Sequence, residues 1–85
     1  MSIEKSACPH YRVARMAAPK QHACEVCGVE APVRVCLECG HVGCCESTQG
    51  HAKAHALAAK HPLIRQLPLR EASFTWCYEC GDYLR

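Results

Sequence analysis

Three Cys-x-x-Cys pairs, Cys24 with Cys27, Cys36 with Cys39 and Cys77 with Cys80, constrain this chain more than any other feature. Cys8 and His10 stand ahead of them, and Cys44, His51, His55 and His61 fall between the second pair and the third. The chain has 85 residues, close to the size of roughly 70–80 residues below which a hydrophobic core rarely supplies more than a few kcal/mol. One tryptophan, three tyrosines and one phenylalanine are the only large aromatic groups. Much of the remaining apolar fraction is cysteine and alanine, which bury little area each. Such a chain needs staples, and its nine cysteines and six histidines are the available ones.

Disulfides and metal ions compete for that role. Disulfides call for an oxidising compartment and an even number of cysteines, but the count here is odd. Histidine interleaves with cysteine, which a disulfide framework does not require. The start, Met1-Ser2-Ile3-Glu4-Lys5, has charges and no apolar run, so it does not read as a secretory signal. No stretch approaches the ~18 apolar residues of a membrane span. The expectation is a cytoplasmic metal-binding chain. Its twelve ligand candidates divide into three closed tetrahedral zinc sites. Eight thiolates and three divalent ions bring the formal charge of +2 to about zero. With Arg65, Arg70 and Arg85 scattered rather than clustered, charge argues against nucleic acid as the partner.

Residues 1–20 are mildly basic, contain Pro9 and Pro19, and are expected to form a docked arm. The knuckles Cys24-Glu25-Val26-Cys27-Gly28 and Cys36-Leu37-Glu38-Cys39-Gly40 place glycine after the second cysteine, where a tight turn exposes backbone N–H groups to sulfur. The run 33–37 between them reads as a strand. Ser47 or Thr48 is predicted to cap an alanine-rich helix from Gly50 to Lys60. Pro62 should stop that helix. Residues 63–67 and 73–78 read as further strands. These elements describe a single small α+β domain over residues 1–85, organised by zinc.

His51 and His55 lie four residues apart and so share a helix face. Spacing alone would let them hold one metal between them. The catalytic form of that arrangement needs a glutamate directly after the first histidine, and Ala52 stands there. It also needs an open coordination position, which a full ligand count does not leave. The chain is therefore not expected to be an enzyme. His22, His41 and Cys45 are left without a role. Cys45 directly follows a ligand, and reads either as an inert buried thiol or as a free reactive one.

The ordered series Cys8-x-His10, Cys24-x-x-Cys27-Gly28, Cys36-x-x-Cys39, Cys44, His51-x-x-x-His55, His61-Pro62-Leu63 and Trp76-Cys77-Tyr78-x-Cys80 resembles the UBP-type zinc finger. That domain occurs in ubiquitin-specific proteases and in a cytoplasmic histone deacetylase, and the likeness runs from residue 8 to about residue 84. It implies about five short antiparallel strands packed with one or two helices. It also implies a ligand partition: Cys8, His10, Cys77 and Cys80 in one site, Cys24, Cys27, Cys44 and His51 in a second, and Cys36, Cys39, His55 and His61 in a third. On that partition the two helical histidines serve neighbouring metals.

Ubiquitin-binding members of the family hold the free Gly-Gly tail of ubiquitin between aromatic walls, and an arginine just after the seventh ligand helps to recognise it. The resemblance puts Trp76, Tyr78 and Tyr83 at wall positions. Where the binders read Cys-Gly-Arg-Tyr, however, this chain has Cys44-Cys45-Glu46-Ser47, as in a bacterial-like, stand-alone variant. Glu46 replaces attraction for a terminal carboxylate by repulsion. The expected function is thus a monomeric zinc-binding interaction module for a peptide or protein partner, a free C-terminal tail among the candidates, with ubiquitin-tail recognition lost or altered. A structural adaptor and a zinc-scaffolded nucleic-acid binder are the alternatives. The aromatics at 76 and 78 flank Cys77 and read equally as packing around a metal site, and Glu46 reads as an acid favourable to a helix start.

Overall fold

The alternation Val33-Arg34-Val35-Cys36 builds β2 (Val33–Cys36), in which both valines are buried and Arg34 is half-buried. β2 lies inside the six-stranded sheet of the computed structural model, which describes residues 2–85. The other strands are β1 (Ser2–Ile3), β3 (Val42–Cys44), β4 (Leu63–Gln66), β5 (Thr75–Cys77) and β6 (Asp82–Leu84), in the spatial order β1-β6-β5-β4-β2-β3. Strands β2 to β6 pair antiparallel, as the family resemblance implies. β1 adds a short parallel strand at the β6 edge. The amino-terminal arm contains this strand, a 3-10 turn (Lys5–Ala7) and the helix α1 (Pro9–Val13). Its attachment is explicit: the Lys5 N–H donates to Arg85 O at 2.9 Å and the Arg85 N–H to Ile3 O at 2.8 Å.

The second helix, α2, spans His51–Ala59, one residue shorter at each end than the sequence predicts. Neither Ser47 nor Thr48 caps it. Both lie in the turn over 46–49, and the N-cap is Gly50, at φ +69 without a side-chain bond. A sulfur serves instead, because the His51 N–H donates to Cys44 Sγ at 3.5 Å. At the other end Lys60 turns left-handed (φ +58), and the N–H groups of Lys60 and His61 both reach Ala56 O. The chain has thus left the helix before Pro62 has to break it.

Register sorts the side chains between two faces. Val35, Leu63, Cys77 and Leu84 are buried on one face with Cys8 and Leu37, and Ile3, Tyr11 and Ala14 of the arm close over them. A second cluster of Cys24, Val33, Val42 and Cys44 continues toward β3. Cysteine makes up a large share of both, so the core and the candidate metal sites are one object. On the opposite face, Cys36 pairs with Ile64, Ile64 with Trp76 and Trp76 with Tyr83, while Arg34 sits opposite Gly43 and Gln66. α2 packs chiefly over β3 and β2 on this face and reaches β4, where Ile64 is buried. It approaches so closely that a Cβ on Gly43 would lie 2.6 Å from the Ala52 Cα. The β5–β6 side lies largely beyond α2, and there the aromatic residues gather. No helix among the described residues is long and apolar enough to cross a membrane.

Candidate metal centres and an aromatic cleft

Each knuckle supplies two sulfurs from a turn, and a distant element supplies the rest of each cluster. Cys8 enters from the arm just before α1 and His10 from its first turn. They meet the third knuckle, with Cys8 Sγ 3.7 Å from Cys80 Sγ, and His10 Nδ1 3.5 Å from Cys77 Sγ and 3.9 Å from Cys80 Sγ. Cys24 and Cys27 meet Cys44, at the end of β3, and His51, at the start of α2. His51 Nδ1 lies 3.4 Å from Cys24 Sγ and 3.3 Å from Cys44 Sγ, and Cys27 Sγ is 4.0 Å from Cys44 Sγ. Cys36 and Cys39 meet His55, one turn along α2, and His61 beyond its end. Cys36 Sγ is 3.6 Å from His61 Nδ1, and Cys39 Sγ 3.3 Å from His55 Nε2.

In each group the four ligand atoms lie within 4.8 Å of one another. The structure therefore separates His51 from His55, against the reading of their spacing as one shared site. α2 crosses between two knuckles, so histidines on one helix face reach different sulfurs.

The donor sets fit zinc. A tetrahedral ion with Zn–S of about 2.3 Å and Zn–N of about 2.0–2.1 Å puts its ligands about 3.8 Å apart for sulfur pairs and about 3.6 Å for sulfur and nitrogen. The distances above scatter around these edges. They are far longer than the ~2.05 Å of a disulfide, and all nine cysteines are free. The surroundings favour the ligating protonation state at some of these ligands and oppose it at others: burial raises the Cys36 and Cys77 thiols and pushes Cys80 up to about 12. Burial raises the Cys24 thiol, but the N–H groups of Cys27 and Val26 outweigh it and hold Cys24 at about 6. Cys8 falls to about 7 in the same way, with burial opposed by the Tyr11 N–H and by His10. Burial and the nearby imidazoles of His41 and His61 keep His55 below the usual histidine value, toward the neutral form that ligates.

The residues left without a role now have surroundings. His41 stacks flat on His55, with ring centroids 4.0 Å apart and planes 2° apart, which holds that imidazole from behind. His22 is exposed and belongs to none of the three clusters. Cys45 turns away from the sulfur cluster and accepts from Arg34 Nη2 at 3.3 Å.

That contact lies in a cleft of about 150 Å³ on the aromatic face of the sheet, between the turn after β3, Ala52 of α2 and the aromatic strands. Trp76 meets Tyr83 edge to face at 4.8 Å and Tyr78 at 6.1 Å, and Phe74 meets Tyr83 at 5.2 Å. The predicted wall residues Trp76, Tyr78 and Tyr83 thus pack on one another and line an open space together. Burial, with a contribution from the charge of Glu46, pushes the Tyr78 hydroxyl up to about 12, so it remains a proton donor. Glu46 also borders the cleft.

A sequence profile described as the zinc finger in ubiquitin-hydrolases and other proteins matches residues 24–85. The chain belongs to this family. Among curated proteins it is similar to ubiquitin carboxyl-terminal hydrolase 3 of Mus musculus, with 35% identity over 69 residues, or 78% of this chain. It is also similar to the BRCA1-associated protein of Homo sapiens, with 29% identity over 82 residues, or 95% of this chain. The chain spans only about 13% of the length of each. Among solved structures, the NMR structure of protein RPA1320 from Rhodopseudomonas palustris superposes with a TM-score of 0.77 at 33% identity, covering 91% of this chain and 79% of that one.

As a UBP-type finger the chain is a zinc-binding module, and by itself not a catalytic one. Glu46 is 58% exposed at the rim and forms an ion pair with Lys53 Nζ at 3.2 Å. The cation of this cleft is another residue, which the sequence reading missed. Arg34 lines the cleft from β2, its guanidinium 4.8 Å from the Phe74 ring centroid. A signal for it existed: an arginine between two strand valines has to face away from the core they enter.

Proposed function

We propose that the chain is a three-zinc protein-interaction module whose Trp76–Tyr78–Tyr83 cleft receives an extended peptide segment of its partner. In this reading Cys8, His10, Cys77 and Cys80 hold one ion. Cys24, Cys27, Cys44 and His51 hold the second, and Cys36, Cys39, His55 and His61 the third. Zinc supplies fold stability here rather than chemistry, since four protein ligands leave each ion no open position. The ions fix β5 and the turn after β3 on either side of the cleft, so the aromatic walls are preorganised before a ligand arrives.

The cleft itself carries the proposal. It is apolar on its aromatic side, polar at one end, and set on a scaffold rigid enough to keep it open. The Glu46–Lys53 pair occupies the stretch where ubiquitin-binding fingers carry arginine, so recognition of a Gly-Gly tail is altered rather than inherited. The test combines metal analysis of the purified chain with NMR titration by a degenerate library of short peptides. About three zinc ions per chain are expected, with shifts concentrated on Trp76, Tyr78 and Tyr83. A different zinc count would overturn the ligand sets. No shift at millimolar peptide, or shifts confined to another face, would overturn the cleft.

A further inference from the structure

The amino-terminal arm is basic and apolar at once. Residues 1–20 carry Lys5, Arg12, Arg15 and Lys20 against Glu4 alone, a balance of +3, whereas residues 21–85 carry six cations against seven acids. Lys5 lies over the Tyr11 ring at 5.7 Å. Arg12, Arg15 and Lys20 are exposed, and among the described residues none of the three has an ion-pair partner. Glu38 comes close, but it accepts the Arg15 backbone N–H, at 3.1 Å. Among these cations stand Val13, 80% exposed, and Met16, 44% exposed.

Met16 is also a strained residue, at φ +56, a left-handed conformation that a residue with a Cβ avoids. The bonds on either side keep it there: Arg15 N–H to Glu38 Oε1, and Ala17 N–H to Leu37 O at 2.8 Å. Strain of this kind persists where neighbouring contacts impose it, and it often gathers at ligand clamps. The arm's own packing makes no use of Met16, since Ile3, Tyr11 and Ala14 supply its contacts to the core.

We propose that the ridge Arg12–Lys20 is a docking surface for an acidic segment of a partner protein, one whose carboxylates alternate with apolar side chains. The arm closes over the sheet face opposite the aromatic cleft, so this surface stands whether or not the cleft takes a peptide. Charge complementarity selects the acids, because three exposed cations lack counter-charges that a partner's carboxylates supply. Val13 and Met16 select against other polyanions. A phosphate backbone offers apolar side chains nothing, and Tyr11 packs on the core instead of standing free to stack on bases. A membrane surface calls for a sizeable amphipathic helix or a lipid chain, and α1 has five residues.

The test titrates the zinc-loaded chain with a labelled peptide of alternating glutamate and leucine. Two counterparts, with glutamine for glutamate and with serine for leucine, are compared with it, and NMR shifts are followed alongside. The glutamate–leucine peptide should bind about tenfold or more tighter than either counterpart, shift residues 11–20 and leave Trp76 unmoved. Raising the salt from about 0.05 M to about 0.5 M should weaken it, because exposed charges are then screened. Arg12→Gln with Arg15→Gln should remove the advantage of glutamate, and Val13→Ser with Met16→Ser that of leucine. Zinc content and far-UV circular dichroism should stay as in the parent, since all four side chains are exposed.

Equal binding of the glutamate and glutamine peptides, or no binding at millimolar peptide, would overturn the docking surface. Shifts confined to Trp76, Tyr78 and Tyr83 would do the same by placing the peptide in the cleft. Tighter binding of a short oligonucleotide or of anionic vesicles would overturn the partner class. Self-association of the chain without peptide, lost in the arginine pair, would make a second copy the occupant instead.

Discussion

Two cysteines make the distinction between ligand and neighbour measurable at the level of single residues. Cys77 is fully buried in β5, inside both the core and the first cluster. Cys45 contacts Arg34 and belongs to no cluster. Structural zinc contributes on the order of 10–16 kcal/mol to folding in small fingers, against a total stability of about 5–15 kcal/mol for a typical domain. Loss of one ligand therefore weakens a site by enough to threaten the whole fold. Cys77→Ser should lose one zinc per chain and lower the urea midpoint drastically or abolish folding. Cys45→Ser should keep the full zinc content and change stability by about 1 kcal/mol or less. Equal damage in metal analysis and urea unfolding would refute the ligand assignment.

Among elements, α2 sits in the most consequential place, since it sends His51 to one cluster, His55 to the next and Ala52 to the cleft wall. Its exit is locally strained. Lys60 adopts φ +58, a left-handed conformation that costs a residue with a Cβ roughly 1–2 kcal/mol. Glycine meets that conformation without the steric cost. Lys60→Gly is expected to stabilise the zinc-loaded chain by about 0.5–1 kcal/mol, after some offset from the entropy of an unfolded glycine, and urea unfolding reads the shift directly. A destabilised variant would mean that the lysine side chain does more at this turn than end the helix.

The same helix shows where sequence reasoning works and where it stops. Alanine content and Pro62 located α2 to within a residue at each end, and the knuckle spacings marked the turns. The cap was misplaced because the acceptor for the His51 N–H is Cys44 Sγ, which only tertiary contact brings near. For the same reason, spacing paired His51 with His55, and only the family resemblance separated them. Strands β1, β3 and β6 have two or three residues each; β5 is as short, but the aromatic run from Phe74 to Tyr78 around it made it legible, and the others have no such run. Arg34 was legible in principle from β2, but its meaning depended on a cleft assembled from four other elements.

For the whole molecule, metal, fold and proton uptake are one equilibrium. The first cluster joins Cys8 to Cys80 across nearly the full chain, beside the backbone bonds that tie Ile3 and Lys5 to Arg85. On the proposed three-zinc reading, removing the ion there should free both chain ends. Removing the other two should free α2 and one wall of the cleft. Protons compete with zinc for every thiolate and imidazole, so acid acts as a chelator does.

The sign on the acid side follows from the two lowered thiols, because Cys27, Cys36, Cys77 and Cys80 are raised and stay largely protonated there in both folded and unfolded chains. Cys24 and Cys8 stand at about 6 and about 7 against an ordinary 9.0. Between those values the unfolded chain binds more protons than the folded one, and stability rises with pH. Their contribution is complete above about pH 9, shrinks as pH falls, and is gone below about 6. Bound zinc acts in the same direction and holds the fold to lower pH than the thiols alone would. Far-UV circular dichroism and zinc release to a chromophoric chelator, followed together from pH 8 to pH 4, should fall in a single transition. Excess EDTA at neutral pH should produce the same unfolded spectrum. A chain that gave up its zinc yet kept its spectrum and the Trp76 environment would instead stand on its small apolar core, and the cleft would then owe its shape to packing rather than to metal.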